Sequence, residues 1–159
     1  MGSGKSTLGK ALSEVSHRPW IDTDLWIEQR TGLTVSDLVA KEGWDRFRSF
    51  EGSFIHEFSF QGPSILSTGG GFPLQHANAT WLKSNAHTFY LEVDLQTLFQ
   101  RLSAGKTFRP LINDKDDAAL QVYIEQMVQE REAVYKQADF ILDGTLPLDR
   151  LLQEVLRLI

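Results

Sequence analysis

The chain has 159 residues, enough for one domain with a sizeable core. Hydrophobic residues make up 42% and charged residues 23%, the balance of a soluble globular protein rather than a disordered or membrane-embedded one. A net charge of −5 argues against general nucleic-acid binding, and the lack of cysteine excludes disulfides and thiolate metal sites. No apolar run approaches a membrane span and no signal or transit peptide is visible, which suits the cytosol. An anionic ligand would therefore be held by local arginines and lysines against an acidic background.

Met1-Gly2-Ser3-Gly4-Lys5-Ser6-Thr7 reads as the end of a phosphate-binding loop entering a helix. Glycines let backbone N–H groups turn toward a polyphosphate, and the helix N-terminus adds unpaired donors and partial positive charge. Lys5 would reach the β- and γ-phosphates, and the Ser6 hydroxyl would sit on Mg²⁺. The opening glycine of G-x-x-x-x-G-K-[ST] falls three residues before Gly2, outside this sequence, as does the strand that normally feeds the loop. A flexible glycine-rich start is one alternative. N-myristoylation, whose pattern Met1-Gly2-x-x-x-Ser6 also fits, is another.

A short amphipathic helix is predicted over Leu8–Val15, then a buried strand Pro19–Asp22 ending in a carboxylate. Asp22-Thr23-Asp24 opens a helix over Leu25–Gln29. Carboxylates at a strand's C-terminal end sit where α/β sheets place their chemistry, although Asp24 or Thr23 could simply cap the helix. Thr34-Val35-Ser36-Asp37 resembles a capping box for a helix to about Glu42. A longer helix follows over Trp44–Phe60, with Phe47, Phe50, Phe54, Ile55 and Phe58 on its apolar face. Arg48 and Glu51 lie three residues apart on it and could pair, or form a solvated surface pair of little weight.

Pro63–Thr68 is the next predicted strand and runs into Gly69-Gly70-Gly71. Three glycines after a buried strand point to close passage of backbone past a ligand, beyond what a plain turn needs. A short helix over Ala77–Ser84, a strand over His87–Val93 and a helix over Leu95–Leu102 follow. Ser103–Asp117 is a polar loop whose length hints at function, with Arg109-Pro110 within it. The longest helix is predicted over Ala118–Ala138. Arg131 falls on its apolar stripe, a costly place unless the guanidinium meets an anion or its head reaches solvent. Strand Asp139–Asp143 and a helix from Pro147 to Leu158 complete the chain. Strands alternating with helices predict a parallel sheet covered on both faces. The histidines at 17, 56, 76 and 87 show no ligand spacing and read as structural.

Taken together, MGSGKST at 1–7, DTD at 22–24, FRSFE at 47–51, STGGG at 67–71, RPL at 109–111 and R-x-x-x-Y-x-x-A-D from Arg131 to Asp139 resemble the shikimate kinase family. The resemblance runs over essentially the whole chain. It implies a single domain over 1–159 with the three-layer α/β/α P-loop kinase fold. The family's sheet has five parallel strands, the first absent from this sequence; the lid would span about 104–117 and a shikimate-binding helical region about 24–60. It implies phosphoryl transfer from ATP with Mg²⁺ to the 3-hydroxyl of shikimate, by a cytoplasmic monomer without nucleic-acid or membrane partners.

The same resemblance implies the residue roles. Gly2, Ser3, Gly4, Lys5, Ser6 and Thr7 would wrap the phosphates, and Ser6 and Asp22 would hold the metal. Asp24 would bind shikimate hydroxyls and orient or accept the reacting proton. Arg48 and Arg131 would grip the carboxylate, and Gly69, Gly70 and Gly71 would offer backbone donors. Lys5 and Arg109 would act on the phosphates, and Arg101 would lie near the adenine. A related small-molecule kinase such as a gluconate kinase, and an inactive or binding-only remnant, are the alternatives.

Two departures from the family pattern stand out. Gly43-Trp44 replaces a Gly-Glu pair and is expected not to touch the chemistry. The missing strand would lie between the strand ending at Thr68 and the strand at 87–93. Its loss would leave two unpaired edges, at ~1–3 kcal/mol per unsatisfied buried group against a total stability of ~5–15 kcal/mol. The expectation is that the natural protein extends roughly ten residues upstream of Met1, the length of one strand and half the loop.

Overall fold

The strands among the described residues are brief and pair in parallel, as the alternation of strands with helices predicts. The computed structural model describes residues 1–104, 112 and 115–159. They form two compact units, one of Ser6–Ala86 and one of Met1–Lys5 with His87–Ile159. The described strands make two separate parallel pairs rather than one continuous ladder. No helix among the described residues is long and apolar enough to cross a membrane.

In the Ser6–Ala86 unit, β1 (Trp20–Asp22) pairs with β2 (Ile65–Ser67), Asp22 opposite Ser67. Helix α1 (Lys5–Ser16) buries Leu8 and Leu12. Its Gly9 has no room for a side chain: a Cβ there would lie 2.5 Å from Ser67 Oγ and 2.7 Å from Trp20 Nε1. Trp20 Nε1 donates to Ser67 Oγ at 2.9 Å, a tie across the pair beyond the ladder itself. Helix α2 (Thr23–Thr31) ends at Gly32, whose φ of 70° is the left-handed conformation of a C-terminal cap.

Helix α3 (Val35–Glu57) begins as predicted, with Thr34 Oγ1 accepting from the Asp37 backbone N–H at 3.1 Å. It is two helices joined at Gly43 (φ 83°, ψ 168°), which matches the predicted junction between Glu42 and Trp44. It ends at Glu57, before the predicted Phe60, and helix α4 (His76–Asn85) follows a 3-10 turn over Phe72–Leu74. Ile27, Leu38 and Phe47 form one core cluster, and Phe54, fully buried, contacts the rings of Trp26, Phe58, Phe60 and Phe72. Edge-on and offset ring pairs of this kind add to plain area burial.

In the other unit, β3 (Phe89–Glu92) pairs with β4 (Phe140–Asp143), Phe89 opposite Phe140. Helices α5 (Leu95–Ala104), α6 (Asp117–Tyr135) and α7 (Leu148–Leu158) complete it. Val93, Leu98, Leu102, Ile112, Leu120 and Ile124 form its core, and Met1 packs against them. Helix α6 stops three residues short of the predicted Ala138. Its last carbonyls are taken by tighter i→i+3 bonds, Gln137 N–H to Val134 O and Ala138 N–H to Tyr135 O.

Candidate functional site

The C-terminal end of β1 carries Asp22, buried, with its two oxygens divided between two tasks. Oδ1 accepts from the backbone N–H groups of Asp24 (3.0 Å) and Leu25 (3.5 Å), making Asp22 the N-cap of α2. Oδ2 accepts from the Ser6 hydroxyl at 2.9 Å. Neither Asp24 nor Thr23 is the cap, so the capping alternative for Asp24 does not hold. Thr23 Oγ1, fully buried, instead accepts from the Gly69 N–H at 2.8 Å and ties the first glycine of the triplet to α2.

That tie brings the Gly69–Gly71 turn against both Asp24 and Arg48. A Cβ on Gly69 would overlap Asp24 Oδ1 and approach Glu51 Oε1 to 3.2 Å. A Cβ on Gly71 would overlap the Arg48 guanidinium. Gly71 has φ −90° and ψ −14°, ordinary right-handed backbone, so glycine is needed there for space and not for conformation. These glycines let the backbone pass directly beneath a carboxylate and a cation.

Arg48 is fixed from several sides. Its Nη1 donates to Glu51 Oε2 in a short ion pair. The Trp44 and Phe47 rings lie 5.2 and 5.4 Å from its Cζ, within cation–π range. Glu51 is fully buried, so the surface-pair alternative is excluded. Burial pushes the Glu51 carboxyl above its ordinary 4.5, with nearby Asp24 adding to the rise, while Arg48 and Gln75 oppose it. Gln75 Nε2 donates to the same Oε2 at 3.0 Å. Trp44, expected not to touch the chemistry, lies in cation–π range of Arg48.

In the other unit, Gly2 (φ 78°) and Gly4 (φ 93°) adopt the left-handed conformations that let a loop present N–H groups inward. Gly2 packs on α5: a Cβ would lie 3.1 Å from Leu102 Cγ and 3.4 Å from Leu98 Cδ2. Arg101, also on α5, donates long hydrogen bonds to the carbonyls of Ser3 (3.3 Å) and Gly2 (3.4 Å). Lys5 is half-buried and Thr7 exposed. Arg131 is half-buried on α6, and its Nε is buried without a hydrogen-bond partner among the described residues. A buried guanidinium nitrogen in that state calls for an acceptor. Arg109 and most of the predicted lid lie outside the described residues.

The structure therefore gathers Ser6, Asp22, Asp24, Arg48, Gly69 and Gly71 in one unit, and Gly2, Ser3 and Arg101 in the other. Sequence reasoning missed Gln75 and Trp44. Trp44 lies one helical turn before Arg48, but Gln75 stands beyond the 3-10 turn over Phe72–Leu74 and no spacing links it to Glu51.

Parallel strands, carboxylates at a strand's end and a Gly-Lys-Ser-Thr loop opening a helix define an α/β protein of the P-loop kinase fold. The family model for shikimate kinase matches residues 1–159. A shikimate kinase of Bacteroides fragilis is 39% identical over 141 residues, spanning 89% of this chain and 79% of the relative. One from Bacteroides thetaiotaomicron is 36% identical over 144 residues, 91% of this chain and 82% of the relative. A crystal structure of shikimate kinase from Bacteroides thetaiotaomicron superposes with a TM-score of 0.93 at 33% identity, covering 99% of this chain and 93% of that one. Shikimate kinase from Acinetobacter baumannii in complex with shikimate gives 0.88 at 29% identity, covering 99% and 87%. The chain belongs to the shikimate kinase family.

Proposed function

We propose that the protein transfers a phosphoryl group from ATP, with Mg²⁺, to the 3-hydroxyl of shikimate. The observation that carries this reading is Arg48, pinned by a buried carboxylate directly over Gly71, with Asp24 against Gly69 of the same turn, on a chain of this family. Bound ATP with its metal would supply the transferable phosphoryl group. The residues fit both. Ser6 and Asp22 put a hydroxyl and a carboxylate oxygen 2.9 Å apart, the hard donors that Mg²⁺ takes. Gly2 and Gly4 have the backbone of an anion-binding loop.

The chain's own residues then divide the work. Lys5 and the loop N–H groups neutralise phosphate charge. Arg48 and Arg131 hold the ring carboxylate, for which a planar guanidinium offers a fork of donors. Asp24 orients the 3-hydroxyl and accepts its proton as the bond to phosphorus forms. Gly70 and its neighbours contribute backbone donors, Arg101 braces the loop that faces the nucleotide, and Arg109 acts from the lid. Little covalent help is needed, because positioning and cations around the moving charge supply most of the catalysis.

The relatives above are shikimate kinases, which does not favour a gluconate kinase or a binding-only remnant. A coupled assay for ADP release tests the choice. Turnover that depends on shikimate and not on gluconate is expected; no shikimate-dependent turnover would overturn the reading. The same reading makes the enzyme a cytoplasmic monomer, which sedimentation of the purified chain would check for oligomeric state.

A further inference from the structure

Glu51 presents an unusual arrangement of donors. Its carboxylate is fully buried; Oε2 receives both Arg48 Nη1 and Gln75 Nε2, while Oε1 has no partner among the described residues. Its backbone carbonyl is also engaged, by Asn78 Nδ2 at 3.4 Å. Gln75 stands where the 3-10 turn after the glycine triplet meets α4, and its side chain reaches back across α3. Its amide oxygen lies over Gly52, where a Cβ would stand 3.6 Å from Gln75 Oε1, an ordinary van der Waals distance. With the amide oxygen over Gly52, the NH₂ faces Glu51, the orientation an ionised carboxylate requires since it can only accept.

We propose that Gln75 is a positioning residue for substrate binding: its hydrogen bond keeps Glu51 ionised and in place, and Glu51 in turn aims Arg48 at the substrate carboxylate. The inference rests on the proposed function for the identity of that substrate. The charged groups facing Glu51 are Arg48 from α3 and Asp24 from α2, of opposite effect; Gln75 and Asn78 are the polar ones. Burial raises the carboxyl, Arg48 lowers it and Asp24 raises it further; the Gln75 hydrogen bond adds a smaller lowering influence beside that of Arg48. Without it, a buried carboxylate retains one donor and takes up a proton at higher pH. A protonated Glu51 no longer holds Arg48 as an ion pair.

Gln75→Met, of similar length but with no donor, is the test, with Gln75→Asn as the conservative control. The expected result is a KM for shikimate raised about 5- to 10-fold near neutral pH, with kcat and the KM for ATP within about twofold. The acid limb of the KM profile should move to higher pH, and Gln75→Asn should restore part of the loss. Glu51 titration, followed by carboxyl carbon NMR in the ligand-free chain, should shift upward in Gln75→Met. Wild-type shikimate KM, unmoved pH limb and unmoved Glu51 titration in a folded Gln75→Met variant would overturn the proposal. If the wild type turns over no shikimate, the proposed function has failed separately, and the Glu51 titration alone decides whether Gln75 controls its protonation.

Discussion

Gly71→Ala isolates the geometry on which the site depends. The added methyl would overlap the Arg48 guanidinium, yet the backbone at φ −90° and ψ −14° accepts alanine without strain. Backbone entropy even favours the substitution slightly, by ~0.4–1 kcal/mol. The guanidinium, at the end of a flexible side chain, must swing aside. If it keeps a contact with Glu51, stability changes little. If the ion pair breaks, the buried Glu51 is stranded at a cost of ~3–5 kcal/mol, which for a chain of this size lowers Tm by roughly 6–20 °C. The first outcome is expected, with a Tm change under about 4 °C. Displacing one charge-assisted hydrogen bond from the substrate is worth ~1.5–3 kcal/mol, or roughly 10- to 150-fold. The KM for shikimate at saturating ATP should rise by that factor, with the KM for ATP unchanged. A shikimate KM within twofold of wild type would refute the placement of Arg48 over Gly71 as the carboxylate grip.

Asp22→Asn should separate the two tasks of Asp22: the amide oxygen still caps α2, so Tm stays close to wild type, while kcat at limiting Mg²⁺ falls at least tenfold in a magnesium titration. Because Glu51 is held above 4.5 by burial, the folded chain binds its proton more tightly than the unfolded chain does. Its contribution to stability is full below 4.5 and is lost as pH rises through the folded value. Urea unfolding of wild type and Glu51→Gln should therefore show wild type losing ground as pH climbs above 4.5, and parallel curves would contradict this. Trp44→Leu, which removes the aromatic face, should raise the KM for shikimate about two- to fivefold in steady-state kinetics, the scale of a partly exposed cation–π contact. Arg101→Ala should raise the KM for ATP and leave that for shikimate unchanged, as steady-state kinetics would show.

Much of this arrangement is legible before any coordinates. Period and punctuation locate the α-helices among the described residues but not the 3-10 turn over Phe72–Leu74, and Gly43 divides α3 at the predicted junction between Glu42 and Trp44. Strand ends are less legible: β2 keeps only Ile65–Ser67 of the predicted Pro63–Thr68, because pairing and not apolar character sets the limit. The residues of the site follow the same division. Asp24 and the triple glycine stand out by type and place in the sequence, and Arg48 through the family resemblance. Capping by Asp22 was not legible, since Asp22, Thr23 and Asp24 are all good caps and only the chain direction after β1 selects one. The pairing of Glu51 with Arg48 is legible from spacing, but not its burial, because helical spacing says nothing of depth. Gln75 and Trp44 take their meaning from tertiary contacts with Glu51 and Arg48, and no motif encodes those.

The most direct measurement is phosphorus NMR of the chain incubated with ATP, Mg²⁺ and shikimate. The account predicts a new phosphomonoester resonance coupled to the ring proton at carbon 3, growing as ADP appears and absent when gluconate replaces shikimate. ATP consumption without that resonance, or binding of both ligands with no product, would contradict it.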